Sequence, residues 1–192
     1  MAKIISAAEA AAKVQAGMTV MVGGFLGCGT PQSLVDQVLA DGTKDLTLVC
    51  NDTAFPDSGV GKLVVSRQFK RVIVSHIGTN PETGRQMNAN ELAVDLVPQG
   101  TLAEAGKQKL TIDGKDYLLE LPIKADVALV KAYKADKAGN LVFRKAARNF
   151  NPLMATAADL VIVEAQNIVE IGEIDPDEVM TPGIFVNYLV QG

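Results

Sequence analysis

A chain of 192 residues, 48% of them hydrophobic and 5% aromatic, is long enough to bury an aliphatic core, and we expect a single domain over residues 1–192. Its net charge of −4 and its lack of basic runs argue against nucleic-acid binding. No apolar run approaches the ~20 residues that span a bilayer, and the N-terminal segment lacks the pattern of a signal peptide. Because Cys28 and Cys50 have no metal-ligand or CxxC spacing, we expect a reduced, cytoplasmic protein with no metal site and no membrane or nucleic-acid partner.

The first half of the chain alternates helix and strand patterns. Ser6 is placed to cap an alanine-rich helix that runs to about Ala16. The elements predicted next are strands at 19–22, 46–50 and 71–75, a helix between a Thr30 N-cap and Gly42, and a strand that begins at Ala93. Each of these strands ends in a loop rich in Gly, Asn, Asp or Gln, which is typical of a parallel sheet that binds ligands at its carboxyl edge.

The second half adds antiparallel patterns. Asp113-Gly114 predicts the turn of a β-hairpin. Further strands are expected around the DKAGN segment and at DLVIVEA, and Asn151 before Pro152 indicates a helix start. The predicted fold class is therefore α/β: an open, mostly parallel sheet flanked by helices, with antiparallel additions.

The most distinctive motif is VMVGGFLGCGTP, in which four glycines fall within seven positions. It is not a dinucleotide fingerprint, because Gln32 stands where GxGxxG needs its third glycine, and it is not a P-loop, because Thr30 stands where the lysine belongs. Positions without a Cβ let a ligand approach the backbone, and the helix that follows offers free N–H groups. A tight strand–helix turn explains the same glycines, so the motif alone leaves both interpretations open.

Motifs along the whole chain resemble the α subunit of the family I coenzyme A transferases. The resemblance starts at GMTVMVGGFLGCGTP and continues through LTLVCNDTAFPDSGVGKL, VSHIGTNPETG, VPQGTLAE, YLLELPIKADVALVKA, ARNFNPLMATAA and MTPGIFVNY. Because it covers nearly every segment, it is highly specific. It is strongest for the branch that acts on acetate, butyrate and acetoacetate.

The resemblance implies an enzyme that moves coenzyme A from a short-chain acyl-CoA to a free carboxylic acid by a ping-pong mechanism. Coenzyme A is then a substrate, and no cofactor is tightly bound. The family's nucleophilic glutamate lies in a β subunit, within a Ser-Glu-Asn-Gly-like motif. No glutamate of this chain precedes Asn-Gly, so the resemblance implies activity only with a β subunit, in an α2β2 or larger assembly.

The resemblance also assigns roles to particular residues. The family's CoA-binding glycine loop corresponds to Gly23, Gly24, Phe25, Leu26, Gly27, Cys28 and Gly29. The glutamine of the PQG turn corresponds to Gln99, whose amide can donate to the oxyanion formed on the thioester, and Asn51 is the next candidate for contact with the acyl group or the oxyanion. A turn-stabilising role for the Gln99 amide is the simpler alternative.

The chain departs from the family pattern after Glu104. The family continues there through an arginine and a long glycine-rich loop, whereas Ala105 follows at once here, leaving the chain about twenty residues short. Glycine-rich loops beside active sites are commonly mobile, so we expect a longer form of the chain to carry this one. A true loss would remove CoA contacts and weaken the case for activity.

Simpler roles and other functions compete with this interpretation. His76, the single histidine, has no nucleophile at motif spacing, and Cys28 is not expected to react as a nucleophile. Asp52 and Asp57 are expected to form Asx turns rather than a carboxylate pair. The competing functions are a sugar-phosphate isomerase of similar fold, for which no acid–base set is identifiable, and a non-catalytic acyl-CoA-binding module, which activity with a β subunit would exclude.

Overall fold

The computed structural model describes residues 1–97, 108–119 and 121–192. The strands in these ranges are β1 (Lys3–Ile4), β2 (Thr19–Val22), β3 (Leu46–Val49), β4 (Phe69–Val74), β5 (Ala93–Leu96), β6 (Lys109–Ile112), β7 (Lys115–Leu118), β8 (Ala125–Asp136), β9 (Leu141–Val142), β10 (Ala158–Val169) and β11 (Tyr188–Gln191). The α-helices are α1 (Ala7–Ala11), α2 (Gln32–Asp41), α3 (Gly61–Val65), α4 (Pro81–Asn88) and α5 (Asn151–Ala155). Short 3₁₀ turns lie at Lys145–Arg148, Pro176–Glu178 and Gly183–Phe185.

One sheet runs through the described structure in the order β1-β11-β10-β8-β2-β3-β4-β5, and all of these neighbours are parallel. Strand β9 pairs antiparallel with β8, while β6 and β7 form a separate antiparallel hairpin. Asp113 and Gly114 in that hairpin turn both have positive φ, 51° and 74°, as their sequence predicts. The predicted α/β class, with a mostly parallel sheet, flanking helices and antiparallel additions, is confirmed.

The longest strands of the sheet are the neighbours β8 and β10, with 12 residues each. Their register runs from Ala158↔Ala125 to Val169↔Asp136. Residues 127–130 of β8 and 161–163 of β10 are at most 1% exposed. Strands covered on both faces have continuous apolar runs rather than alternating ones, which explains the VALV and VIV segments. This buried pair is the support from which the neighbouring loops are positioned.

The first helix begins where its sequence predicts and ends earlier. Ser6 and Glu9 form a reciprocal capping box at the start of α1. The helix ends at Ala11 rather than near Ala16, because the chain tightens through an N–H to carbonyl contact between Val14 and Ala11 (2.9 Å) and buries the Val14 side chain. The burial of Val14 therefore sets the C-terminal end of α1, which helix propensity alone does not determine.

Helix α2 takes its N-terminal partner from a distant strand. The prediction that Thr30 caps this helix is wrong, since the residue at the N-cap is Pro31 and no side chain bonds there locally. The N–H of Leu34 instead donates to Glu164 Oε2 of β10 at 3.1 Å. A carboxylate at this place accepts an N–H that has no intrahelical partner and lies at the positive end of the helix dipole. Lys131 of β8 pairs with the other oxygen, Oε1, at 2.6 Å.

The loop between β2 and α2 rests on the side chain of Asn151, which is fully buried. Its Nδ2 donates to the carbonyl oxygens of Gly29 (3.0 Å) and Ala147 (2.9 Å). Its Oδ1 accepts from the N–H of Lys131 at 2.9 Å. A Cβ added at Gly23 would lie 1.8 Å from that Oδ1, so glycine is needed at position 23 for packing, whatever the loop binds.

Gly23→Ala is therefore expected to lower the free energy of unfolding by about 1–3 kcal/mol, the usual cost of overpacking a filled site. Gly84→Ala is the matched control, because Gly84 lies inside α4 and a Cβ there meets nothing within 4 Å. The control should raise the free energy of unfolding by about 0.5–1 kcal/mol. Urea unfolding of both variants measures the difference, and equal effects would contradict the packing role of Asn151.

A cluster of charged side chains at α4 makes the free energy of unfolding depend on pH. Arg85 donates to Glu82 (2.7 Å) and Glu91 (2.8 Å). The hydrogen bond from Arg85, with a second from Gln86, lowers the pKa of Glu82 from its ordinary value of 4.5 to about 2. Because the folded-state pKa is the lower one, Glu82 contributes stability above pH 4.5 that is lost as the pH falls toward about 2.

Glu82→Gln is expected to reduce the steepness with which the free energy of unfolding falls as the pH drops from about 4.5 toward 2. Glu178→Gln is the control, since Glu178 is exposed and its side chain forms no ion pair among the described residues. Urea unfolding across this range checks the result. If the free energy of unfolding of both variants fell equally with pH, the Arg85 cluster would not be a cause of the acid sensitivity.

Candidate active site

The loops after three neighbouring parallel strands enclose one cavity. Strands β2, β3 and β4 are adjacent in the sheet, so their carboxyl ends lie side by side. The cavity has a volume of about 360 Å³. Its lining residues are Phe25 and Leu26 after β2, Asn51 and Asp52 after β3, and Ser75 and His76 after β4. Open α/β sheets bind ligands at this edge, so the location predicted for the site is occupied by a cavity.

The glycine loop folds as a tight turn at the rim of this cavity. Phe25 and Cys28 exchange two backbone hydrogen bonds, of 3.0 and 2.9 Å. Between them, Leu26 and Gly27 both have positive φ (47° and 83°), the pattern of a type I′ turn. The turn presents Phe25 and Leu26, which are 45% and 39% exposed, at the cavity. The interpretation as a tight turn is confirmed, and because this turn also lines a cavity, ligand binding by the loop stays a prediction.

The buried carboxylate of Asp52 ties the glycine loop to the end of β3. Its Oδ2 accepts from the N–H of Leu26 (2.9 Å) and from Asn51 Nδ2 (2.9 Å). Its Oδ1 accepts from the N–H of Ala54 (2.8 Å), which is the predicted Asx turn. Asp57 is exposed and makes no such turn. Asp52 is therefore the residue that fixes Leu26 in its left-handed conformation.

Asn51 is held on the wall of the cavity. The residue is 7% exposed, and its Nδ2 donates to Asp52. Ser75 Oγ donates to the Asn51 side-chain Oδ1 (2.9 Å) and lies 2.7 Å from its backbone carbonyl oxygen. The structure thus brings Asn51 and the glycine loop to the same cavity. Gln99, the other candidate for the oxyanion contact, lies outside the described residues.

Of the remaining reactive side chains among the described residues, the histidine lines the cavity and the two cysteines do not. His76 lies at the exposed rim. Cys28 is exposed but does not line this cavity, and burial raises the pKa of the Cys50 thiol well above its ordinary value. Among residues 1–97, 108–119 and 121–192, no group of three or more His, Cys, Asp or Glu side chains is arranged to hold a metal ion. No helix of that part of the chain is long and apolar enough to cross a membrane.

Sequence reasoning missed two residues that build the site. Asn151 was assigned only to a helix start, and Asp52 only to a local turn. Both act through contacts with the glycine loop, which lies 122 residues from Asn151 and 26 residues from Asp52. In the sequence, the one sign of their importance is that Asn151 and Asp52 lie in the NFNP and ND motifs that carry the family resemblance. Such a resemblance gives no information on contacts.

Comparisons with known proteins cover the whole chain. The family model described as coenzyme A transferase matches residues 4–107 and 103–192. The chain is 47% identical over 211 residues to the acetate CoA-transferase subunit alpha of Escherichia coli K12, covering 98% of this chain and 96% of that protein. It is 45% identical over 198 residues to the acetoacetyl-CoA:acetate/butyrate CoA transferase alpha subunit of Clostridium acetobutylicum, covering 91% of each.

A solved structure shares the fold. The chain superposes on the acyl-CoA transferase YdiF of Escherichia coli O157:H7 with a TM-score of 0.83 and 19% identity. The match covers 100% of this chain and 47% of the YdiF chain, so this chain spans about half the length of that protein. At this level of identity the comparison establishes the architecture alone.

The shorter loop is a property of this chain. The alignment with the E. coli subunit extends over 211 positions against 192 residues here, so at least 19 positions have no counterpart (211 − 192). The two segments of the family match overlap at residues 103–107, around the junction of Glu104 and Ala105. Glu104 is followed directly by Ala105 in the chain, and the expectation of a longer loop is wrong. The family match over nearly the whole chain and relatives at 45–47% identity show that the chain belongs to the coenzyme A transferase family.

Proposed function

We propose that this chain is the α subunit of a CoA transferase that moves coenzyme A between a short-chain acyl-CoA and a free acid of the acetate, butyrate and acetoacetate class. The partner is a β subunit in an α2β2 or larger cytoplasmic assembly, and the chain contributes one domain, residues 1–192. The observation that carries the proposal is the cavity lined by the glycine loop and Asn51. Relatives at 45–47% identity are named as alpha subunits of such transferases.

The need for a partner follows from the acid groups of the cavity. Asp52 is the one carboxylate among its described lining residues, and it accepts three hydrogen bonds. A carboxylate held in this way is positioned to support the loop and not to attack a thioester. The half-exposed side chains of Phe25, Leu26 and Phe55 near the loop leave apolar surface that a second subunit can cover.

The chemistry assigned to the complex requires a carboxylate and an oxyanion site. A β-subunit glutamate attacks the thioester carbonyl, and the CoA thiolate leaves as an acyl–glutamyl anhydride forms. The thiolate then attacks the glutamyl carbonyl, which releases the acid and leaves a glutamyl–CoA thioester. The acceptor acid reverses these steps. Each addition produces an oxyanion, and side-chain amides from Asn51 and Gln99 stabilise it by an amount typically near ~3 kcal/mol per donor.

Reconstitution tests the proposal. The purified chain should show no CoA transfer from acetoacetyl-CoA to acetate by itself, and transfer should appear when a β subunit is added. The assay follows loss of acetoacetyl-CoA by absorbance and formation of acetyl-CoA by mass spectrometry. A complex that assembles and binds acyl-CoA without transfer would identify a binding module, and isomerisation of a sugar phosphate by the chain alone would favour the isomerase.

Asn51→Ala in the active complex is expected to lower kcat about 100-fold, the usual effect of removing one oxyanion donor. Ser75→Ala is the matched variant, because it removes the hydroxyl that supports Asn51 and keeps the amide. Its kcat should fall by much less. Steady-state kinetics with a melting-temperature control measures both, and equal losses in the two variants would assign Asn51 a purely structural role.

Gln99→Ala is expected to lower kcat by a similar factor, on the same oxyanion argument. Asn88→Ala, an exposed amide at the end of α4, is the control and should leave kcat unchanged. A Gln99 variant with full kcat would leave the glutamine with the turn-stabilising role instead.

A further inference from the structure

A second groove lies on the other side of the glycine turn. Its volume is about 470 Å³. The residues that line it come from the turn, from β8 and β10 and from the 3₁₀ segment; those used below are Cys28, Lys131, Tyr133, Arg144, Lys145 and Ala147. The turn is shared with the active-site cavity, since Phe25 and Leu26 line the cavity and Cys28 lines the groove.

The groove is cationic in a chain whose net charge is −4. Lys131 Nζ is neutralised by Glu164, whereas Arg144 and Lys145 form no ion pair among the described residues. The Arg144 guanidinium lies over the ring of Tyr133, 5.2 Å from its centroid, and the contact orients it. Asp177 and Glu178 line a neighbouring pocket with Arg144 and do not line this groove. Within the groove, two exposed cations that form no ion pair among the described residues give a local attraction for anions.

The backbone at Lys145 is in an unusual conformation. Its φ is +53°, in the left-handed region that side chains other than those of Gly, Asn and Asp rarely adopt. Residues held in such conformations cluster at ligand-binding sites, where the surrounding structure over-determines them. Here the surrounding structure is the glycine loop that packs against the same 3₁₀ segment.

The cations are fixed relative to the glycine turn. Asn149 Nδ2 donates to the carbonyl oxygen of Cys28 at 2.9 Å. A Cβ at Gly29 would lie 2.9 Å from the Cα of Ala147, so the two backbones are in close contact. The cavity and the groove therefore lie on either side of one fixed turn, and a long ligand that occupied both would cross this turn.

We propose that this groove binds the phosphate groups of the acyl-CoA nucleotide through Arg144 and Lys145 while the thioester lies in the active-site cavity. The inference rests on the proposed function, because that function supplies the acyl-CoA. Coenzyme A has the required shape: an uncharged pantetheine arm separates its thiol from a diphosphate and a 3′-phosphate. Guanidinium and ammonium groups bind such phosphates by charge-assisted hydrogen bonds.

The test compares two thioesters in the complex with the β subunit. Arg144→Gln and Lys145→Gln should each raise the KM for acetoacetyl-CoA about tenfold, the effect expected from one charge-assisted contact. Neither should change kcat/KM for S-acetoacetylpantetheine, which has no phosphate. Lys70→Gln is the control, because Lys70 is exposed near the start of β4, at the end of the sheet opposite the cavity. It should change neither value.

Equal losses of kcat/KM for both thioesters, or no loss for either, would overturn the proposal. Weaker association with the β subunit at unchanged KM would also overturn it, because the groove would then be a contact for acidic residues of that subunit. Calorimetric binding of CoA and pantetheine to the complex separates this inference from the proposed function. A complex without transferase activity refutes the function, and the groove is then tested by whether Arg144→Gln weakens CoA and not pantetheine. Failure of CoA to bind the unaltered complex refutes the groove as well.

Discussion

The geometry of this end of the molecule depends on one buried amide, that of Asn151. Its hydrogen bonds join three separate backbones: the glycine loop at Gly29, the 3₁₀ segment at Ala147 and strand β8 at Lys131. An amide can serve all three because it carries both donors and an acceptor on one rigid plane. Since the cavity and the cationic groove share the glycine turn, the relative position of the two surfaces follows from this single side chain.

A second constraint is electrostatic and lies directly behind the first. Glu164 is 1% exposed and is balanced by Lys131 and by the N-terminus of α2. A buried carboxylate with one partner removed would be left with an uncompensated charge, which commonly costs 3–5 kcal/mol. Lys131 of β8 joins the two constraints, because its side chain balances Glu164 and its backbone N–H donates to Asn151.

Sequence predicts the parts of this structure whose causes are local. The Ser6 helix cap, the Asp113-Gly114 turn and the strand at Thr19–Val22 each follow from residues within a few positions, and each is confirmed. The cap of α2 and the support of the glycine loop were not predictable in this way, because their partners are 130 and 122 residues away. The position of Asn51 at the cavity was predictable, because a residue at the end of a parallel strand needs no knowledge of distant contacts to be placed at a ligand edge. Its contact with a substrate stays a prediction.

The buried acids also explain why a chain with a formed cavity should depend on a partner for its chemistry. Asp52 and Glu164 each use their oxygens to satisfy backbone N–H groups or a lysine. A nucleophilic carboxylate has the opposite requirement, since its lone pair must reach the thioester carbon with little reorganisation. A residue that met both requirements would release the glycine loop each time it reacted. In the proposed complex the reacting glutamate stands on a second subunit, so the conflict does not arise and the glycine loop of this chain keeps its carboxylate support through every step.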